Sequence, residues 1–465
     1  MLRKYFGNRA FYARVLIIAV PIMIQSGITN FVNLLDNIMV GSLGEEALSG
    51  VAIVNQYTFV YNLMIFGAIS AAGIFTAQYH GFGDTKGVRN TFRFKLIINV
   101  IASVVGIAVF FLLDDLLISL FLHDGSSKGD LLLTLKYGKE YLFVTLFGLL
   151  PHAISQVYAS TMRETGKTVP PMVASAVAVG TNFALNMLLI FGLCGFPKLG
   201  VVGAALATSI SRYVELLILV VWGHLHKKQY AFLIGAYRSL RVPRALAVEI
   251  VRKGLPLMMN ELLWALAITA RSMCYSTRGL DVVAAQNINS TIVNLFNVVY
   301  LALGSSIATI VGNQLGAGSI EEAKDTDRKM IVFSVLCATG MGIVLAIFAS
   351  PFGLFFDITE SGRDLATFMI IVSAATMPFN AYTHAAYFTL RTGGKVMITL
   401  LFDCVYMWLV VMPGALILAY TTEIGIHWLF VICQALEAAK CILGYFVLKR
   451  DDWARQLVSD HSLKS

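Results

Sequence analysis

Twelve apolar stretches follow one another through this chain, and no other feature limits its fold as severely. They lie near residues 14–40, 50–78, 94–113, 138–161, 169–192 and 200–223, then 252–277, 282–312, 330–350, 365–390, 396–419 and 424–448. A helix needs about 20 mainly apolar residues to cross a bilayer core. In hydrocarbon each backbone N–H and C=O must find its partner within the protein, so runs of this kind fold as helices. Of the 465 residues, 57% are hydrophobic and only 13% charged, too few charges to cover a soluble domain of that size. The first stretch is too long for a signal peptide and lacks a small-residue cleavage site, so it reads as a retained span. The fold class expected is an all-α polytopic membrane protein of twelve transmembrane helices, in two pseudo-symmetric six-helix lobes.

The net charge of +8 follows from where the basic residues sit. Lys and Arg crowd the N-terminus (Arg3, Lys4, Arg9, Arg14), the second connection (Lys86, Arg89, Arg93, Lys95) and the sixth (Lys227 to Lys253). They recur in the fourth, eighth and tenth connections and the tail, whereas the opposite side holds few, such as Lys128, Lys198 and Arg363. The positive-inside rule then puts both termini in the cytoplasm and makes the chain a multi-pass protein of the cell membrane. No nucleic-acid partner is implied. The six cysteines show neither CxxC nor metal spacing and read as small core residues.

The chain repeats itself. Pro21, Gly81 and Gly83 match Pro256, Gly316 and Gly318 at a constant offset of 235. Thr161-Met-Arg163-Glu-Thr-Gly166-Lys167 matches Thr389-Leu-Arg391-Thr-Gly-Gly394-Lys395 at 228. Six spans per half is an even number, so both halves insert the same way round and the repeat is parallel. The division expected is an N-lobe at 1–223, a cytoplasmic linker at 224–251 and a C-lobe at 252–465 with a short tail. The linker is basic and reads as a solvated segment with an interfacial helix.

Within this apolar frame the polar residues carry the information. Asp36 lies inside the first span, where an acid costs roughly 2.5–3.5 kcal/mol on insertion scales. Gln25, Thr29 and Asn33 precede it at helical spacing, so the four share one face, directed at a cavity or at a neighbouring helix. Span five places Asn182 and Asn186 one turn apart, and span six sets Thr208 one turn after Ala204. If these faces meet Asp36, one carboxylate and several neutral oxygens suit Na⁺ or a proton; the alternative is polar glue between helices.

The second half carries Glu261, Arg271, His384 and Asp403 within its spans. Glu261 is a second cation site or a partner for Arg271 or His384, and Asp403, with Trp408 nearby, is a weaker candidate. Arg212/Glu215 and Glu437/Lys440 sit three residues apart and are expected to neutralise each other locally. Arg271 is then the one intramembrane cation without an opposite charge nearby. Thr165-Gly166-Lys167-Thr168 mimics the end of a phosphate loop, but no strand precedes it, and it reads as a tight turn. HExxH, GxSxG and potassium-filter motifs are absent, so neither an enzyme nor a channel of that type is expected.

These residues together resemble the multidrug and toxic compound extrusion (MATE) family. The resemblance rests on Asp36-Asn-Ile-Met-Val-Gly-Ser-Leu-Gly with Ala47-Leu48, on Asn182…Asn186 running into Leu-Ile-Phe-Gly, on Gly203-Ala-Ala-Leu-Ala-Thr208, and on Arg163-Glu-Thr-Gly-Lys before Pro170-Pro171. It implies twelve helices in two lobes and secondary antiport, with export of amphipathic, mostly cationic small molecules in exchange for Na⁺ or H⁺. The family's first-span acid maps onto Asp36, and no cofactor beyond the coupling ion is implied. Some members carry a second acid where Asn186 stands. Members with a C-lobe site use acids in spans seven and ten; Glu261 supplies the first, and span ten offers only Asn380 and His384. The expected coupling set is therefore Asp36, Asn182, Asn186 and Thr208, with Na⁺ held at the first three, in a monomer. A lipid-linked oligosaccharide flippase of related plan is the competing reading. A membrane receptor or channel is a more distant one.

Overall fold

A computed structural model describes residues 5–119, 131–353 and 359–459. Twelve long helices account for most of it. They are α1 (Arg9–Gly41), α2 (Glu45–Phe82), α3 (Thr85–Leu112), α4 (Leu131–Glu164), α5 (Val169–Phe191) and α6 (Val201–Leu225). The second set is α7 (Arg244–Ser276), α8 (Leu280–Gly316), α9 (Ile320–Gly353), α10 (Glu360–Thr392), α11 (Val396–Thr421) and α12 (Ile426–Lys449). Among the described residues, eleven are long and apolar enough to cross a membrane. The helix outside that group is α7, which is equally long but carries Glu249, Arg252, Lys253, Glu261 and Arg271. Large apolar side chains such as Ile17, Leu112, Leu217, Ile347 and Leu409 stay exposed, as a surface facing lipid requires.

Local chemistry sets the helix ends. The Asp84 carboxylate accepts from the amides of Lys86 and Gly87, both at 3.0 Å, and so caps α3. Thr359 does the same for α10 through the amide of Gly362 at 3.1 Å. Pro170 and Pro171 open α5, where a missing N–H costs nothing. Between α4 and α5, Gly166 takes a left-handed conformation (φ 77°) and the Lys167 amide returns to the Met162 carbonyl at 2.8 Å. The equivalent turn between α10 and α11 repeats this with Gly394 (φ 76°) and Lys395 to Leu390 at 3.0 Å. Thr165-Gly166-Lys167-Thr168 is thus a helix C-terminal turn, duplicated with the repeat.

By its internal contacts the chain forms two compact units. One contains the described residues up to Met23, Ala77–Gly83 and the chain from Glu249 onward; the other contains Ile24–Thr76 and Asp84–Val248. Helix α1 therefore contributes to both, and Pro21 stands beside the point of division. A proline there removes one helical hydrogen bond and loosens the helix locally.

In the first unit α9 and α8 pack on α10, and α10 packs on α12. Its cores gather Tyr275, Ile288, Leu345, Met369 and Phe430, and separately Val15, Leu303, Ile307, Leu390 and Phe402. At one place backbones touch. A Cβ on Gly81 would lie 1.8 Å from the Asn313 carbonyl oxygen, and one on Gly316 would lie 1.9 Å from that of Gln78. The repeated glycines thus face each other reciprocally, and only glycine fits at either position.

In the second unit α5 and α4 pack on α6, and α3 packs on α4. The connection between α6 and α7 belongs to this unit and is only partly solvated: residues 226–229, Arg238 and Arg241 are exposed, while its middle docks on the helices. Tyr230, Phe232, Leu233 and Ala236 are buried, and Phe92 of α3 stacks near Phe232 with ring centroids 5.4 Å apart. Arg93 donates to the Ala236 and Gly235 carbonyls, both at 2.8 Å, and Arg89 to that of Phe232 at 3.2 Å. The expected interfacial helix is replaced by a single 3₁₀ turn, Ala231–Leu233, and residues from Arg244 onward already belong to α7. The cause is physical: a basic patch on α3 satisfies linker carbonyls that water would otherwise have to solvate. Lys95, expected in a connection, lies inside α3, is fully buried and pairs with Glu164 of α4.

Candidate functional site

Helices α1, α2, α4, α5 and α6 surround a cavity of about 340 Å³ inside the second unit. Its lining includes Asn33 and Asp36 of α1, Asn55, Thr58 and Asn62 of α2, Tyr141 and Thr145 of α4, Asn186 of α5, and Thr208 and Arg212 of α6. Asp36 is the one carboxylate in that lining among the described residues.

The Asn186 amide nitrogen donates to Asp36 Oδ1 at 2.6 Å and also to Asn182 Oδ1 at 3.2 Å. Asn182 in turn donates to the Thr208 hydroxyl at 3.2 Å. Turned over, the Asn182 carboxamide instead places its nitrogen 3.0 and 3.2 Å from the two Asp36 oxygens and accepts from Thr208 at 3.2 Å. Either way Asp36, Asn182, Asn186 and Thr208 form one connected network. The Asn186 Oδ1 atom is buried without a partner. No lysine, arginine or histidine forms an ion pair with Asp36 among the described residues.

The rest of the α1 stripe divides. Asn33 lines the cavity, whereas Gln25 accepts from Arg163 of α4 at 3.4 Å and the Thr29 hydroxyl donates back to the Gln25 carbonyl at 2.9 Å. One helical turn of difference is enough to move a residue from a cavity wall to a helix seam.

The second-half candidates form a different kind of site. Glu261 accepts from the Tyr387 hydroxyl at 2.7 Å, not from Arg271 or His384. The His384 ring lies among Tyr300, Tyr387 and Phe388, with centroids 5.6, 6.0 and 5.6 Å away. Asp403 lies in a π-helical segment of α11, Leu401–Val405, and accepts from Lys440 at 2.7 Å and from Asn260 at 3.0 Å. Arg271 is paired with Glu437, the two being 12% and 18% exposed. Local neutralisation at spacing three does not occur. Glu437 and Lys440 each reach across to another helix, while Arg212 and Glu215 form no ion pair and Glu215 takes a hydrogen bond from Ser155 at 3.5 Å. Helix i,i+3 pairs do form in this chain, as Lys324 with Glu321 at 2.8 Å, but Glu437 and Lys440 have acceptable partners closer by on neighbouring helices.

The MatE family model matches residues 21–188 and 256–417, most of both halves. The chain belongs to the MatE family. It is a multi-pass membrane protein of that family. A relative from Thermotoga maritima, named a probable multidrug resistance protein NorM, is 23% identical over 445 residues and covers 95% of this chain and 93% of its own. The probable multidrug resistance protein YoeA of Bacillus subtilis is 23% identical and covers 94% of each chain. The fold is shared with a crystal structure of MATE in complex with MaL6 at a TM-score of 0.86 and 20% identity, covering 97% of this chain and 98% of that one. It is shared too with a MOP superfamily transporter of Pyrococcus furiosus, described as having a binding pocket of reverse polarity, at a TM-score of 0.84 and 20% identity, covering 100% and 98%.

In this MatE chain the structure adds cavity residues that sequence pattern did not single out, Asn55, Asn62 and Tyr141, and places Arg212, expected only as a local partner of Glu215, in the same lining. Asn55 and Asn62 sit seven residues apart on α2, two turns on one face, a spacing that the sequence displays.

Proposed function

We propose that this chain is a secondary active antiporter that exports small amphipathic molecules bearing a cationic group in exchange for Na⁺ or H⁺. The cell membrane is its place of work, with both termini cytoplasmic. The repeat supports an N-lobe over 1–223, a linker over 224–251 and a C-lobe over 252–465, working as a monomer by alternating access. The observation that carries the reading is Asp36: among the described residues the sole carboxylate lining a cavity, bound by amides and tied to no basic side chain.

The donor set fits a monovalent cation as transported cargo. Asp36 supplies one negative charge, and Asn182, Asn186 and Thr208 supply neutral oxygens; the orphan Asn186 oxygen is one acceptor already unengaged. When the cation is held, the carboxylate no longer attracts a cationic substrate. Exchange then follows from differential affinity between the two loaded states. No enzymatic chemistry and no cofactor enters.

A flippase for pyrophosphate-linked lipids calls for a cluster of free cations, and Arg271, the expected first member, is neutralised by Glu437. The deciding experiment is efflux of a fluorescent cationic amphiphile from proteoliposomes, with sodium and proton gradients imposed separately. Acceleration by one gradient is expected and identifies the ion. Identical rates with either gradient and with none would falsify antiport.

A further inference from the structure

Past α12, residues 450–459 dock within the first unit, with Trp453 and Val458 buried. Their chief anchor is Gln78 near the end of α2, a side chain with no exposure at all. The Leu457 amide donates to Gln78 Oε1 at 2.7 Å, and Gln78 Nε2 donates to the carbonyls of Arg455 and Thr392, both at 3.2 Å. A carboxamide has one oxygen and two N–H donors, so this tail engages both ends of a buried group. Gln456 donates to the Gly316 carbonyl at the end of α8 at 2.7 Å, and Lys395 pairs with Asp452 at 2.9 Å.

The repeat shows that room is kept for this tail. Gly393 stands where the first half has Thr165, and a Cβ on Gly393 would lie 1.9 Å from the Trp453 carbonyl oxygen. The turn itself does not require glycine there, since Gly393 has an ordinary φ of -76°. Gln78 answers to Asn313 in the second half, whose Oδ1 is buried without a partner. The tail thus serves one half of the repeat and not the other. Its position is also telling. Helix α2 belongs to the second unit as far as Thr76, while Ala77–Gly83 belong to the first. Two things hold that short end in place: the reciprocal glycine contact with α8, and the tail.

We propose that the tail is a cytoplasmic latch, which holds the ends of α2 and α8 together and so sets how often the transporter opens to the cytoplasm. The inference rests on the proposed alternating access and cytoplasmic termini, and adds a regulating element to them. On that topology the ends of α2, α8, α10 and α12 all face the cytoplasm. Access from that side requires the end of α2 to part from α8. Parting them strands the buried Gln78 and the Gly316 carbonyl unless the tail is released first. With the tail docked, the cytoplasm-open state is the minor one. Apparent affinity for a substrate arriving from the cytoplasm is then reduced by the fraction open. Freeing the tail raises that fraction.

The test uses two variants of the full chain. Gly393→Ala puts a methyl group where the Trp453 carbonyl sits, at a turn whose first-half equivalent carries Thr165. Gln456→Ala removes one hydrogen bond to the Gly316 carbonyl. Hydrogen–deuterium exchange should rise by about fivefold or more, the weight of one net hydrogen bond, at Ala77–Gly83 and at the end of α8, with α5 and α6 unchanged. In proteoliposomes oriented with the cytoplasmic face outward, KM for rhodamine 6G, a fluorescent cationic amphiphile, should fall by a similar factor, with kcat no higher. Free exchange in the tail with unchanged protection at Ala77–Gly83 would overturn the inference. So would faster exchange throughout the first unit with KM unchanged, the mark of a merely stabilising tail. Absence of gradient-dependent transport in the wild type would remove antiport, and the exchange pattern would still decide whether the tail holds the end of α2.

Discussion

Replacing Asp36 by Asn separates the role of the carboxylate's charge from its role in the fold. The substitution keeps an oxygen at the position that accepts from Asn186, so the 2.6 Å hydrogen bond survives in neutral form. The loss in stability is then only the charge-assisted part of that bond, about 1–2 kcal/mol. For a bound cation the change is larger. A unit charge about 4 Å from a carboxylate gains about 4 kcal/mol at an effective dielectric constant of ~20. Asp36 is the one acid lining the cavity among the described residues, so nothing there replaces that term. Four kcal/mol corresponds to about a thousandfold in cation affinity. The assay is gradient-driven efflux in proteoliposomes, with the thermal midpoint of the purified variant as the control for folding. A variant that folds, reconstitutes at wild-type density and still couples efflux to the gradient would refute the argument at its base.

Three further outcomes follow from the packing. Arg271→Gln leaves Glu437 buried without its partner and should cost about 3–5 kcal/mol, much of it recovered in the double variant with Glu437→Gln; thermal unfolding of the four proteins closes that cycle. Gly81→Ala or Gly316→Ala drives a methyl group into a facing backbone carbonyl and should lower stability by about 3 kcal/mol or more, read as loss of monodisperse protein in detergent. Arg93→Ala removes three donors from the linker carbonyls of Gly235, Ala236 and Arg241 and should speed limited proteolysis between His224 and Pro243 while leaving the helix content unchanged.

The fold was legible because hydrocarbon enforces a coarse rule that a sequence obeys visibly: twenty apolar residues, then a turn. Even α7, too charged to pass on hydropathy, is betrayed by Pro256 at the repeat distance from Pro21. The glycine pair was legible as a repeat but not as a contact, since periodicity does not say that Gly81 would face Asn313 and Gly316 would face Gln78. In the cavity, one-turn spacing suffices to place Asn33 with Asp36 and Asn182 with Asn186. Spacing could not reveal which charges meet across helices. Glu437 and Lys440 looked like a local pair and instead serve Arg271 and Asp403. Lys95 looked like a loop charge and is buried against Glu164. The docked linker left no side-chain signal, because its partners are carbonyl oxygens that every residue possesses.

What separates structural charge from working charge in this chain is the company each one keeps. Lys95, Arg271, Asp403, Glu437 and Lys440 each have an opposite charge on a neighbouring helix, so their Coulomb energy is already committed to holding helices together. Such a pair resists exchange, because removing either member strands the other in a poor solvent. Asp36 has no such partner: amides, not a basic side chain, hold its carboxylate at the cavity wall. A lysine or arginine within reach would close on it as a salt bridge, and the cavity would have no negative charge left for a visitor. A carboxylate held only by neutral amides stays available to each incoming cationic group in turn, and that makes a coupling-ion site and a substrate site in the same few helices physically compatible.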